Sequence, residues 1–305
     1  MGIIFYMKKY IRKCYYYAAY IFSKTIVLLP YNFAVNKFAD FMGTLVYYIV
    51  KDARLKARKH LSMCFPDKTK QEIEKIVKTI FQYETKNFVE LLYFPKMSNE
   101  FFDSIASITK EQKEIFDKLL KRKKGLFALS AHFGNWEIVA AGFAKVFPVN
   151  VVAKKIYIDE LNDMLVKYRN SRNVKVILRS ETSSARKMIK ALRNNEIIAM
   201  LIDQDTKVQS VFVDFFGKPA STPLGLAAIA LKTGTPVVLC LDKRLPGGKH
   251  TFIVSDEIVP PASCGNFDED VKNFTAKLTK YLEKNIKENP EQWVWFHERW
   301  KTKQV

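Results

Sequence analysis

The residues best suited to chemistry stand in one short run, His132-Phe133-Gly134-Asn135-Trp136-Glu137. An imidazole can take a proton from a hydroxyl as that oxygen attacks an electrophile, a contribution of about 10²–10⁴-fold. A carboxylate on the other ring nitrogen fixes the tautomer and stabilises the imidazolium. Five residues apart on one continuous helix, His132 and Glu137 would diverge; across a tight turn they can converge. Gly134 permits such a turn and lets backbone N–H groups approach a ligand. Asn135 is suited to cap a helix starting at Trp136, and a helix N-terminus favours developing negative charge. Three readings stand from the residues alone: a core histidine beside a helix-capping glutamate, a metal pair, or a general-base dyad. The metal reading is weakest, because no HExxH string exists and His60, His250 and His297 lack ligand spacing.

The elements around this run alternate. Short apolar strands are expected at 126–131, 149–153, 174–178, 197–202 and 236–241, with helices at 136–146, 159–172, 182–194 and 222–232 between them. A strand near 210–215, another near 251–254 and a helix over 268–288 complete the series. This pattern predicts an α/β fold, with a central mostly parallel sheet flanked by helices. Ligands of such sheets sit beyond the carboxyl ends of the strands, and His132 lies just past one of those ends. Upstream, residues 52–95 read as helices broken at Phe65-Pro66-Asp67, and 110–124 as a charged amphipathic helix.

Lys and Arg outnumber Asp and Glu by 50 to 31, a net charge of +19 that favours anionic partners. Residues 1–60 hold eleven Lys or Arg against Asp40 and Asp52 alone. The charge sits beside apolar, aromatic stretches at 14–23, 25–36 and 41–50. None of them is long enough for a confident span. A span over 14–36 would place Lys24 near mid-bilayer, at roughly 2.5–3.5 kcal/mol. The segment 1–50 is therefore expected to be a helical membrane-associating unit lying in the interface, with core helices or a single span as alternatives. No helix-turn-helix, RNA-recognition or zinc pattern points to nucleic acid. Cys14, Cys64, Cys240 and Cys264 are scattered and imply neither a disulfide framework nor a metal knuckle.

The run at 132–137 resembles the HxxxxE signature of the bacterial late acyltransferases of lipid A biosynthesis. Three further segments agree in order. Arg58 to Asp67 is similar to an Asn-Leu…Cys-Phe-Pro segment, with His60 where asparagine is usual. Met188 to Asp205, ending Asp203-Gln204-Asp205, resembles a helix–strand–acidic segment, and Glu291 to Lys301 resembles the C-terminal ending. The resemblance implies an acyltransferase domain over 51–305 at the cytoplasmic face of the inner membrane. It implies direct transfer from an acyl thioester, usually on acyl carrier protein rather than coenzyme A, to a hydroxyl of a phosphorylated glucosamine lipid, an anionic lipid A precursor, with no other cofactor. It implies His132 as base, Glu137 as its partner, an essential arginine at Arg169 or Arg172, and an acidic residue at Asp205. A mannoside-lipid acceptor fits the same pattern. Arg169, Arg172 and Arg179 flank one strand, where an arginine binds phosphate or polarises a carbonyl, with Asp205 available to orient it. A solvated surface charge is the plain alternative for each. Lys123-Lys124 and Lys154-Lys155 suit an acidic carrier protein. Trp293, Trp295, Phe296 and Trp300 are read first as core packing, then as an acyl groove or membrane contact.

Overall fold

The computed structural model describes residues 2–179 and 183–304, with side chains from residue 11 onward. The chain starts with α1 (Gly2–Ile26), a short α2 (Tyr31–Phe33), a π-helical turn over Ala34–Phe38, α3 (Ala39–Ile49), α4 (Lys51–Cys64) and α5 (Lys70–Tyr93). Thr69 and Glu72 form a reciprocal capping box that starts α5. Two short helices follow, α6 (Asn99–Ile105) and α7 (Lys110–Leu120).

The α/β part then runs β1 (Leu126–Ser130), α8 (Trp136–Ala144), β2 (Val149–Ala153), α9 (Asp159–Asn170), β3 (Lys175–Leu178), α10 (Ser184–Arg193) and β4 (Ile197–Leu201). After it come β5 (Ser210–Phe215), β6 (Lys218–Pro223), α11 (Gly225–Thr233), β7 (Val237–Leu245), β8 (Lys249–Glu257) and α12 (Phe267–Glu288). Six strands form one sheet in the order β3-β2-β4-β1-β7-β8, parallel except for β8. The fold class read from the alternation is the fold observed.

Two local readings differ. The helix expected from residue 222 starts at Gly225, because Lys218–Pro223 pairs with β5 as an antiparallel hairpin. The strand near 251–254 extends over Lys249–Glu257, where pairing with β7 sustains it.

Alternate residues of β1 face opposite cores. Leu126 and Ala128 pack with α7 and α8, whereas Phe127 and Leu129 pack with α11 and α12. Part of the segment 26–47 packs into the cores of the α/β part. Ile26, Tyr31, Ala34, Val35 and Ala39 belong to the same core as α5 and α8, and Tyr47 to the core across the sheet. The apolar residues of the segment are thus divided between interior and surface. Thirteen of the twenty exposed large apolar side chains among the described residues lie between Ile11 and Leu55. No helix among the described residues is long and apolar enough to cross a membrane.

Candidate active site

β1 and β4 are parallel neighbours with Ser130 opposite Leu201. Carried two residues further, that register sets His132 opposite Asp203. Asp203 accepts the backbone N–H of His132 at 2.9 Å, the Nδ1–H of the ring at 3.0 Å and the Trp293 indole N–H at 2.8 Å. Three donors on one buried carboxylate keep it ionised: burial pushes its pKa up, but His132 and Trp293 outweigh that and hold it below the usual range. For His132, burial works against the charge, and Asp203 outweighs it, so its pKa lies above the ordinary histidine value. With Nδ1 on Asp203, Nε2 is the nitrogen left to act as a base.

Glu137 is therefore not the residue that orients His132. Its carboxylate is taken bidentately by Arg169, Nη2 to Oε1 at 2.7 Å and Nε to Oε2 at 2.9 Å. The strand-to-helix turn does bring Glu137 close enough for its charge to act on the imidazole. The ring nitrogen, however, points along the sheet toward β4 rather than along α8. Arg169, near the end of α9, is the arginine at the site. Arg172 is buried elsewhere, donating to the Met97 carbonyl at 3.0 Å and lying 4.7 Å over the Phe102 ring. It holds the start of α6 in place and does not line the cavity.

Gly134 and Asn135 are held by contacts within the protein. Gly134 has φ +57, and a Cβ there would lie 2.1 Å from the Asp242 carbonyl oxygen. Its N–H donates to Gln292 O at 2.8 Å, and the Asn135 N–H to Asp242 Oδ2 at 2.6 Å. Asn135 caps α8 as expected, accepting from the N–H groups of Glu137 and Ile138. Four N–H groups of the turn and helix start are thus engaged inside the protein. Behind the turn lies a buried ionic cluster: Arg244 on Glu90 at 2.5 Å, and His250 between Asp242 at 2.9 Å and Glu90 at 3.2 Å. Asn135 and Tyr31 both donate to Glu90. Burial alone would neutralise His250, but Asp242 and Glu90 raise its pKa to about 9.

His132 opens onto a cavity of about 840 Å³ that runs between α8 and the sheet. Small and apolar side chains line its inner part, among them Ala128, Val139, Ala140, Phe143 and Ala199. Lys154, Arg179 and Gln204 supply a polar part. Arg179 donates to Thr206 Oγ1 at 3.3 Å. Asp205 does not orient any of the three arginines flanking β3. Its carboxylate accepts from the N–H and hydroxyl of Thr302, at 2.8 and 3.1 Å, and so ties down the C-terminal end. Trp293 and Trp295 are core residues, and Trp293 also orients Asp203.

An imidazole with Nδ1 engaged, at the edge of a largely apolar cavity, suits several transfer and hydrolytic chemistries, and similarity decides between them. The profile of the family described as "Bacterial lipid A biosynthesis acyltransferase" matches residues 6–302. The chain belongs to this family. Among its relatives is the lipid A biosynthesis lauroyltransferase of Escherichia coli, 26% identical over 91% of this chain and 88% of that protein. The lipid A biosynthesis palmitoleoyltransferase of the same species is 23% identical over 87% and 84%. A phosphatidylinositol mannoside acyltransferase of Mycobacterium tuberculosis is 27% identical over 58% of this chain and 55% of its own. The protein is an acyltransferase of the lipid A family; His132, Glu137 and Arg169 line its cavity, with Asp203 buried behind His132.

Asp203, buried behind His132, and Glu84, which lines the cavity, do not stand out in the sequence. Asp203 lies in the run Asp203-Gln204-Asp205, two positions before Asp205. Its signal was the two-residue overhang it shares with His132 beyond paired strands, which is visible only once β4 is known to adjoin β1.

Proposed function

We propose that this acyltransferase moves a fatty acyl group from an acyl thioester to a hydroxyl of a lipid A precursor, at the cytoplasmic face of the inner membrane. The observation that carries the reading is the His132–Asp203 pair, with the second ring nitrogen left for the cavity. The acceptor oxygen attacks the thioester carbonyl carbon as its proton passes to His132 Nε2. Asp203 stabilises the imidazolium so formed. When the C–S bond breaks, the proton on Nε2 goes to the departing sulfur, and the imidazole is neutral again. Donor and acceptor react directly, with no cofactor beyond the thioester itself. Acyl carrier protein is taken as the donor, since the basic surface of a chain of net charge +19 suits docking of an acidic protein.

The acyl chain fits the apolar part of the cavity, and Lys154 and Arg179 suit a phosphate of the acceptor. Phe88 lines the cavity and stacks on Phe22 of α1, rings 9° from parallel. The exposed apolar face of residues 11–55 thus adjoins the cavity, as a lipid-borne acceptor requires. Replacing exposed Tyr17, Ile21, Leu28 and Phe41 together with serine should move the protein off anionic vesicles in flotation without unfolding it. Undiminished flotation would place the lipid contact elsewhere.

The mannoside acyltransferase relatives favour a second reading, a mannosylated phosphoinositide acceptor. The deciding assay gives the purified full-length protein acyl carrier protein and coenzyme A thioesters with each acceptor and follows product by mass spectrometry. Transfer to the phosphorylated glucosamine lipid alone is the expected result, and transfer to the mannoside alone would replace it. In that assay Arg179→Gln should raise KM for the acceptor about tenfold, the loss of one charge-assisted bond, with kcat little altered.

A further inference from the structure

Three carboxylates act on the His132 imidazole: Asp203, Glu84 and Glu137. Two are committed, Asp203 to Nδ1 and Glu137 to Arg169. Glu84, on α5, lines the cavity beside them. Its carboxyl accepts the Asn87 amide at 3.2 Å, and that amide also holds the Gly134 carbonyl at 2.7 Å. Among the described residues no Lys or Arg forms an ion pair with Glu84. Enclosure raises its pKa to about 7, against opposing pulls from His132 and Arg244.

Transfer places negative charge on the thioester carbonyl oxygen, which needs a donor held ready in the site. The turn and helix start have the N–H groups of Gly134, Asn135, Glu137 and Ile138 engaged elsewhere, so a side-chain donor in the cavity would add to the few backbone donors that remain. A carboxylate at Glu84 would repel that charge, whereas a carboxylic acid donates to it, and apolar enclosure can keep such an acid neutral.

We propose that Glu84, as the carboxylic acid, donates a hydrogen bond to the thioester carbonyl oxygen while His132 takes the acceptor's proton. The inference rests on the acyl-transfer reading above. No proton leaves Glu84: its O–H bond persists while the carbonyl π electrons move onto oxygen and return as the C–S bond breaks. The productive form thus has a neutral His132 and a protonated Glu84, two groups whose titrations are coupled.

The test is the pH profile of kcat for the full-length protein with wild type, Glu84→Gln and Glu84→Ala, with His132→Ala in parallel. A glutamine donates without ionising. Glu84→Gln should therefore stay within about tenfold of wild type, lose the fall at alkaline pH, and keep its acid limb near the wild-type position, because Glu84 is already uncharged where His132 loses its proton. Glu84→Ala should lose about 10²–10³-fold, as for other oxyanion donors. Glu84→Gln as inactive as His132→Ala would make Glu84 a proton acceptor and overturn the proposal. Glu84→Gln and Glu84→Ala profiles that both overlay wild type would overturn it as well. Infrared spectroscopy gives a check that needs no active variant. Wild type should show a carboxylic acid band that titrates near neutrality, and its absence overturns the proposal. Wild-type transfer that disappears in His132→Ala leaves the general-base reading standing whichever way Glu84 falls.

Discussion

His132→Ala should lower acyl transfer by about 10²–10⁴-fold while leaving thermal unfolding near wild type. The ring is partly open to the cavity, so its loss empties little core. Full activity in this variant would end the general-base mechanism. Asp203→Asn is the sharper companion. Asp203 holds the His132 pKa above its ordinary value, and the base works only when neutral, so wild-type activity should rise through a pH above 6.5. Removing the charge lowers that pKa and moves the acid limb to lower pH. It also lowers kcat, because the imidazolium formed in the reaction loses its counter-charge. Glu137→Gln breaks the Arg169 ion pair but leaves Nδ1 on Asp203, so its limb should move less. A larger shift from Glu137→Gln than from Asp203→Asn would restore Glu137 as the orienting residue. Thermal unfolding must accompany the measurement, since Asp203 also receives Trp293.

Glu90→Ala should be the most destabilising single change, by about 3–5 kcal/mol, because it leaves Arg244 and His250 without one shared buried anion. The Glu90 side chain is inaccessible to solvent and accepts from Arg244, Asn135 and Tyr31. Denaturant unfolding measures this directly, and a change below about 1 kcal/mol would mean that the cluster does not brace the turn. The cluster also gives a pH signature. His250 has its pKa raised to about 9 by Asp242 and Glu90. Its stabilising contribution is full below about 6.5, the unfolded histidine value, and is lost as pH rises through about 9. Through Tyr31 and Asn135 the same carboxylate joins the N-terminal helices to the catalytic turn. Glu90→Ala should accordingly disturb activity as well as stability.

Much of the local architecture is written in nearest neighbours. Alternating strands and helices follow from runs such as Leu126–Ser130 and Trp136–Ala144. The turn follows from Gly134 and the cap from Asn135, because periodicity, φ freedom and capping are short-range properties. The proposal of the imidazole as base starts from residue type. The roles of the charged residues were less legible. Arg169, Arg172 and Arg179 read alike as basic residues around β3, yet one pairs with Glu137, one is buried against Met97 and Phe102, and one lines the cavity. The basic aromatic segment 1–50 likewise conceals that Tyr31, Val35 and Ala39 are core.

The place of His132 in a strand-to-helix turn is thus legible in the sequence, whereas its hydrogen-bond partner is set by the tertiary structure. Asp203 is 71 residues away, and it reaches Nδ1 only because β4 inserts between β1 and β2 in parallel register. Glu137, five positions from His132, faces α9 and closes on Arg169 instead. Sequence spacing sets which residues share a turn, whereas a ring nitrogen finds its partner through strand order, and strand order is a property of the whole sheet.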